Sequence, residues 1–334
     1  MSLAQPLHEP TPPPLDLRSF TYSVVIPVFN SEPIVGTTID RTVAFFEGRG
    51  LAYELILVND GSTDGSWEVL RQAVARYPHV RATNLLRNYG QHNANLCGLR
   101  QAKGDYVVTM DDDLQHDPAD IPRLLAALEP DHDLCYVTFE SRKHAAWKRI
   151  GSRFNGAVAG LLLDKPKGLY LSPFRGIRRT VVDAAIRYAG PFVYVDGLLL
   201  QATNRIVTIS AKHHQRSDGA SGYSFRKSFS LWLKMATSFS VIPLRLVSAA
   251  GIAGAVLGGI LAIAVFINKL MDPAMPIGWP SLIICILIVG SMQMLALGAI
   301  GEYIGRILLT INNKPQYVVR SSVNVDAGKE TPRT

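Results

Sequence analysis

The densest chemical signal in the chain is Asp111-Asp112-Asp113-Leu114-Gln115-His116, directly after the run 105–110 (DYVVTM). Adjacent carboxylates repel one another, and a cation relieves that repulsion. Alternate residues of an extended segment face the same way, so Asp111 and Asp113 can converge on one ion, with Gln115 next in line. Oxygen ligands of this kind suit Mg²⁺ or Mn²⁺, which would also bridge a substrate diphosphate. A solvated acidic turn is the alternative reading. Two more polar groups, Asn30 and Asp60, close apolar runs in the same manner. Cations cluster further on: Arg142, Lys143, Lys148, Arg149 and Arg153, then Arg175, Arg178 and Arg179. The planar guanidinium fork suits phosphate; a solvated basic face is the alternative there.

The elements that must carry these groups alternate along the chain. Residues 22–27, 54–58, 80–86, 105–110 and 134–139 read as short buried strands, and 34–47, 63–77 and 91–102 as helices. Strand–helix repetition predicts an α/β fold with a doubly wound, mostly parallel sheet. Such sheets bind ligands at the carboxyl ends of their strands, where Asn30, Asp60 and Asp111 all fall.

The last third meets a different solvent. Residues 246–267 and 281–300 carry no charge, and each is close to the roughly 20 residues that cross a bilayer core. Two buried core helices are the alternative. Arg226, Lys227, Lys234 and Arg245 precede the first run, while Arg306, Lys314 and Arg320 follow the second. The short link between them has Lys269 offset by Asp272. Basic flanks of this kind predict a transmembrane hairpin with both ends in the cytoplasm. The expected organisation is a disordered lead (1–21), a cytosolic α/β domain (22–222), an amphipathic helix (223–240) on the inner leaflet or, alternatively, on the domain's own surface, a two-span hairpin (241–310) and a cytosolic tail (311–334). A multi-pass membrane location with the domain on the cytoplasmic face follows from it.

Hydrophobic residues make up 48% and charged ones 18%, and the net charge of +7 suits an anionic partner. Nucleic acid would explain that charge but not the two apolar runs, so no nucleic-acid partner is expected. Cys97, Cys135 and Cys285 are too dispersed for a zinc site or a disulfide framework. Neither G-x-x-x-x-G-K-[ST] nor G-x-G-x-x-G occurs, so triphosphatase and dinucleotide readings lack their phosphate loops.

Residues 25–32 (VIPVFNSE), 57–64 (LVNDGSTD) and 104–118 (GDYVVTMDDDLQHDP), with the hairpin, resemble family 2 inverting glycosyltransferases of the GT-A fold. Residues 87–92 (RNYGQH), 301–306 (GEYIGR) and 314–318 (KPQYV) extend the similarity to polyprenyl-phosphate glycosyltransferases. These include dolichol-phosphate mannose synthases and, more closely, undecaprenyl-phosphate aminoarabinose transferases. The resemblance implies transfer of a sugar from a nucleotide-sugar, favouring a UDP-sugar, to polyprenyl phosphate for cell-envelope glycan or lipid A modification. It also implies the inner membrane as the location, and self-association, with a tetramer as one such state. It assigns Pro27, Phe29, Glu32, Asp60 and Asp112 to the donor, Arg142, Arg149, Ser152 and Arg175 to the acceptor phosphate, and catalysis to Asp111, Asp113 and Arg175. Pro173 stands where several relatives have an acidic residue proposed as a base, and Ser221-Gly222-Tyr223-Ser224 replaces a Ser-Lys-Tyr-Ser loop. A catalytically silent scaffold and a glycan synthase using another acceptor are the competing readings; the intact Asp111, Asp113 and Gln115 weigh against the first.

Overall fold

A computed structural model describes residues 17–139, 169–211, 242–271, 278–312 and 314–325. In chain order the elements are β1 (Thr21–Val28), α1 (Glu32–Glu47), β2 (Ala52–Asn59), α2 (Ser66–Arg76), β3 (Val80–Leu85), α3 (Gln91–Gln101), β4 (Tyr106–Thr109) and α4 (Ile121–Ala126). There follow β5 (Leu134–Phe139), β6 (Arg175–Arg178), α5 (Arg179–Ala185), α6 (Val195–Ala202), β7 (Ile206–Ala211), α7 (Ile242–Met271), α8 (Trp279–Ile311) and β8 (Val319–Val323).

The strands form one sheet in the order β7-β5-β6-β4-β1-β2-β3-β8. β4, β1, β2 and β3 run parallel, whereas β6 is antiparallel to β4 and β5, and β8 to β3. Alternation along a strand sends side chains to opposite faces. Tyr22, Val24, Ile26, Leu55 and Leu57 pack with α1, α2 and α4 on one side; Val25, Ile56 and Val58 pack with α3, α5 and α6 on the other. Burial on both faces is why these strands read as continuous apolar runs.

The chain steps from β1 to β2 to β3 in one direction, then returns to place β4 on the far side of β1. That reversal opens a crevice at the carboxyl ends of β1 and β4, the place where open α/β sheets bind ligands.

α7 and α8 pack against each other, with Gly254 of α7 lying against Met292 of α8. Ile288–Ile311 is long and apolar enough to cross a membrane, and Val247–Ile260 is a shorter apolar stretch. Ile252, Ile263, Met294 and Leu295 are exposed. Residues 1–16 of the expected lead and residues 223–240 lie outside the described residues. Part of the segment expected as a C-terminal tail is built into the sheet. Ser321, Ser322 and Val323 pair with Asn84, Thr83 and Ala82, making β8 an edge strand of the catalytic sheet.

Candidate active site

Pro27, Val28, Phe29, Asp60, Asn88, Gly90, Gln91, Asp111, Asp112 and Asp113 line a cavity of about 330 Å³ at this crevice. β1 delivers Pro27 to Phe29, the β2 turn delivers Asp60, the start of α3 delivers Gly90 and Gln91, and the end of β4 delivers the carboxylates. Phe29 is exposed, an apolar surface for a flat ring.

Asp60 is buried, and its carboxylate accepts from the Tyr89 and Gly90 backbone N–H groups at 2.7 and 2.8 Å. Burial raises its pKa, and those two N–H groups pull it part of the way back. Its own N–H donates to Val28 O at 2.8 Å, so Asp60 ties the ends of β1 and β2 to the start of α3. Gly61 next to it has φ +66°, and a side chain there would strike the backbone of Arg87 and Asn88.

The acidic loop has internal order. Asp112 turns inward: its backbone carbonyl accepts from Thr38 Oγ1 at 2.9 Å, and buried Oδ2 has no hydrogen-bond partner among the described residues. Burial raises the Asp112 pKa; the Ser31 hydroxyl and Phe29 N–H oppose this, and the Asp113 charge adds to it. Asp111 Oδ1 accepts from Gln91 Nε2 at 2.6 Å, and Asp113 Oδ1 accepts from the Gln115 N–H at 3.2 Å. Leu114 between them sits at φ +61°, a left-handed conformation that a leucine adopts only when its surroundings impose it.

These groups fit a hard divalent cation. Asp111 and Asp113 bring carboxylate oxygens, the donor type such a cation takes, to the cavity lining, and the buried Asp112 Oδ2 has no hydrogen-bond partner among the described residues. Among the described residues no three His, Cys, Asp or Glu side chains are gathered for a metal. A cation that takes one or two carboxylates and completes its shell with substrate phosphates needs no such gathering.

Residues 23–185 match the model of a family described as glycosyl transferase family 2. An undecaprenyl-phosphate 4-deoxy-4-formamido-L-arabinose transferase of Proteus mirabilis is 34% identical over 310 residues, 91% of this chain and 94% of the relative. One of the same name from Photorhabdus laumondii is 34% identical over 305 residues, covering 90% and 94%. The chain belongs to glycosyl transferase family 2. A solved structure of glucosyl-3-phosphoglycerate synthase from Mycobacterium tuberculosis, in complex with Mn²⁺, uridine diphosphate and phosphoglyceric acid, shares the fold. Its TM-score is 0.51 at 18% identity, covering 69% of this chain and 82% of that one.

Of the residues expected in the transferase's site, Pro27, Phe29, Asp60, Asp111, Asp112 and Asp113 come together in the cavity lining. Glu32 does not join them. Its Oε2 accepts from Gly65 N at 2.8 Å and its N–H donates to Asp64 Oδ2 at 3.1 Å, so it closes the turn before α2 beside the cavity. Gln115 stands after the lining residues, with its backbone on Asp113. Arg142, Arg149 and Ser152 lie outside the described residues.

Arg175 is not among the residues that line the cavity. It is only 2% exposed and ion-paired with Asp196, and its Nε donates to Thr109 Oγ1 at 2.9 Å. Tyr136 OH donates to the same Asp196 oxygen at 3.0 Å, and Thr109 Oγ1 donates to Pro173 O at 2.7 Å. The guanidinium is sealed in the core, with its charge neutralised by Asp196. Arg175 locks β6, β4 and α6 together behind the crevice. His92 lies in the same buried field; burial lowers its pKa, with Arg175 acting in the same sense and Asp196 against it.

Two positioning residues escaped the sequence reading. Asp196 carried no motif. His116 was visible only as part of the acidic run, yet its Nδ1 accepts from the Asp111 N–H at 3.0 Å while its ring stacks on Phe174 at 4.9 Å. It fixes the acidic loop against the residue preceding Arg175.

Proposed function

We propose that this transferase moves a sugar, with inversion, from a UDP-sugar to a polyprenyl phosphate, undecaprenyl phosphate being the representative acceptor. The observation that carries the reading is the convergence of Asp111, Asp112 and Asp113 on the cavity at the β1–β4 crevice. Similarity running over nine-tenths of the chain to transferases named for undecaprenyl phosphate supports the choice of acceptor.

Phe29 and Pro27 offer the apolar wall for the base, and Asp60 holds the loop whose Asn88, Gly90 and Gln91 complete the donor cavity. Asp111 and Asp113, with Gln115 beside them, would hold Mg²⁺ or Mn²⁺ against the donor diphosphate. That ion supplies charge neutralisation to the departing diphosphate. A lipid monophosphate with a second pKa of about 6 is already a dianion at neutral pH, so it attacks without a protein base. Its oxygen forms the new bond to the anomeric carbon as the bond to the diphosphate breaks. Pro173 in place of an acidic residue is compatible with that chemistry. What remains for the protein is alignment and desolvation.

Two membrane spans, α7 and α8, with the catalytic domain and both ends on the cytoplasmic side, fit the basic flanks and the exposed apolar faces. Arg142, Arg149 and Ser152 are the groups proposed for the lipid phosphate, and self-association accompanies this reading. The test is a panel of radiolabelled nucleotide-sugars incubated with undecaprenyl phosphate in nanodiscs. One sugar should pass into the lipid phase with EDTA sensitivity; no label in lipid with any donor overturns the proposal.

A further inference from the structure

The segment after α8 is pinned to the catalytic domain by side chains that the donor chemistry does not use. Gln316 is buried, and its Nε2 donates to Tyr188 O and Gly190 O at 3.0 and 2.7 Å. Tyr317 OH accepts from Arg100 Nη1 at 3.2 Å, with the guanidinium 5.5 Å from the centre of its ring. Arg100 Nη2 donates to the same Tyr188 carbonyl at 3.0 Å, closing a knot between α3, the loop after α5 and the C-terminal segment. Leu86 N donates to Val318 O at 2.8 Å, and Arg320 donates back to Leu86 O at 3.2 Å before β8 pairs along β3.

This strap stands between two things that must be held at a fixed spacing. The apolar segment Ile288–Ile311 ends five residues before Gln316. Five residues reach at most about 18 Å, so the catalytic domain is leashed close to the end of that segment. On the other side, the strap grips both flanks of the donor cavity's own loop: Leu86 lies two residues before the cavity residue Asn88, and Arg100 lies on α3, whose first residue Gln91 holds Asp111. A hold this short limits how far the cavity can move from the end of the apolar segment.

We propose that residues 314–324 are a positioning strap that sets the donor cavity's height over the bilayer, with Gln316 and Tyr317 as its key positioning residues. The claim rests on the lipid acceptor proposed above. It separates a role in reaching membrane-held substrate from a role in building the donor site. A strap that only completes the fold would be indifferent to leash length.

The test inserts Gly-Ser-Gly-Ser after Asn312, which adds about 13 Å of reach and leaves every strap contact in place. The Gln316→Ala variant loosens the strap directly. Binding of UDP with Mn²⁺, and transfer to a short-chain polyprenyl phosphate free in solution, should stay within two-fold of wild type for the insertion. Transfer to undecaprenyl phosphate in nanodiscs should fall at least ten-fold, mainly through KM. A readout independent of catalysis accompanies it: energy transfer from a dye on Gln72→Cys, in a Cys285→Ser background, to labelled headgroups should weaken and broaden. Unchanged energy transfer overturns the strap, as does equal loss with both acceptors. A wild type inactive on both acceptors overturns the proposed function instead, and the energy-transfer result still decides the strap.

Discussion

Two sets of charges stand at the same end of the sheet, one after the carboxyl end of β4 and the other at the amino end of antiparallel β6, and they have opposite fates. At the end of β4, Asp111, Asp112 and Asp113 face a cavity, with one buried oxygen unpaired and one residue in a left-handed conformation. On β6, in register with Thr109 of β4, Arg175 is sealed, paired with Asp196 and bonded to Thr109. Arg175 is neutralised inside the protein and holds elements together, whereas the carboxylates of Asp111, Asp112 and Asp113 line a cavity. The sequence shows the charges at both places but only the fold shows which are already spent.

The comparison breaks first at the acidic loop. Asp113→Ala should leave the fold intact and lower transfer by about three orders of magnitude, the scale of losing several kcal/mol of charge stabilisation. Steady-state assays beside circular dichroism check this, and near-normal turnover would remove Asp113 from the chemistry. Arg175→Ala should do the reverse of a site mutation, costing about 3–5 kcal/mol of stability by stranding buried Asp196. Denaturation of the variant, and of Arg175→Met with Asp196→Leu, separates the cases: the double change should recover most of the loss. If Arg175→Ala keeps stability and loses only acceptor use, the sealed pair is not what this charge is for.

His116 joins the two regions. His116→Phe keeps a ring against Phe174 but removes the acceptor for the Asp111 N–H, so metal affinity should fall about 10- to 100-fold. Mn²⁺ titration followed by electron paramagnetic resonance reads this without turnover. Asp112 gives the smallest effect and the opposite sign. Burial raises its folded pKa above the unfolded value, so its contribution to stability is lost as pH climbs from the ordinary carboxylate range through the folded value. At neutral pH and without metal, Asp112→Asn should therefore raise the apparent Tm by about 2–4 °C, the shift expected for ~1 kcal/mol. A lower Tm would mean that the ionised carboxylate is well satisfied where it sits.

The parallel strands were legible because burial on both faces writes itself as apolar runs such as residues 24–29 and 55–58, closed by Asn30 and Asn59. The cavity's Pro27, Phe29, Asp60 and Asp111 to Asp113 were legible for the same reason, since they lie within or follow such runs. β8 was not: VRSSV is short, mostly exposed, and pairs with a strand more than two hundred residues earlier. Nor was the fate of Arg175. Its partner Asp196 opens the separate helix α6, and only the packing of α6 behind β4 brings the two together. Glu32 stands outside the lining for a local reason, because its carboxylate accepts from the turn at Gly65.

The central claim is that the open carboxylates hold the donor diphosphate through a divalent ion. UDP binding measured calorimetrically with Mn²⁺ and then with EDTA, for the wild type and for Asp111→Asn/Asp113→Asn, tests it most directly. The wild type should bind at least thirty-fold more tightly with the metal, a gain of about 2 kcal/mol, and the double variant should show no metal dependence. Equal affinity of the wild type in Mn²⁺ and EDTA would contradict the account.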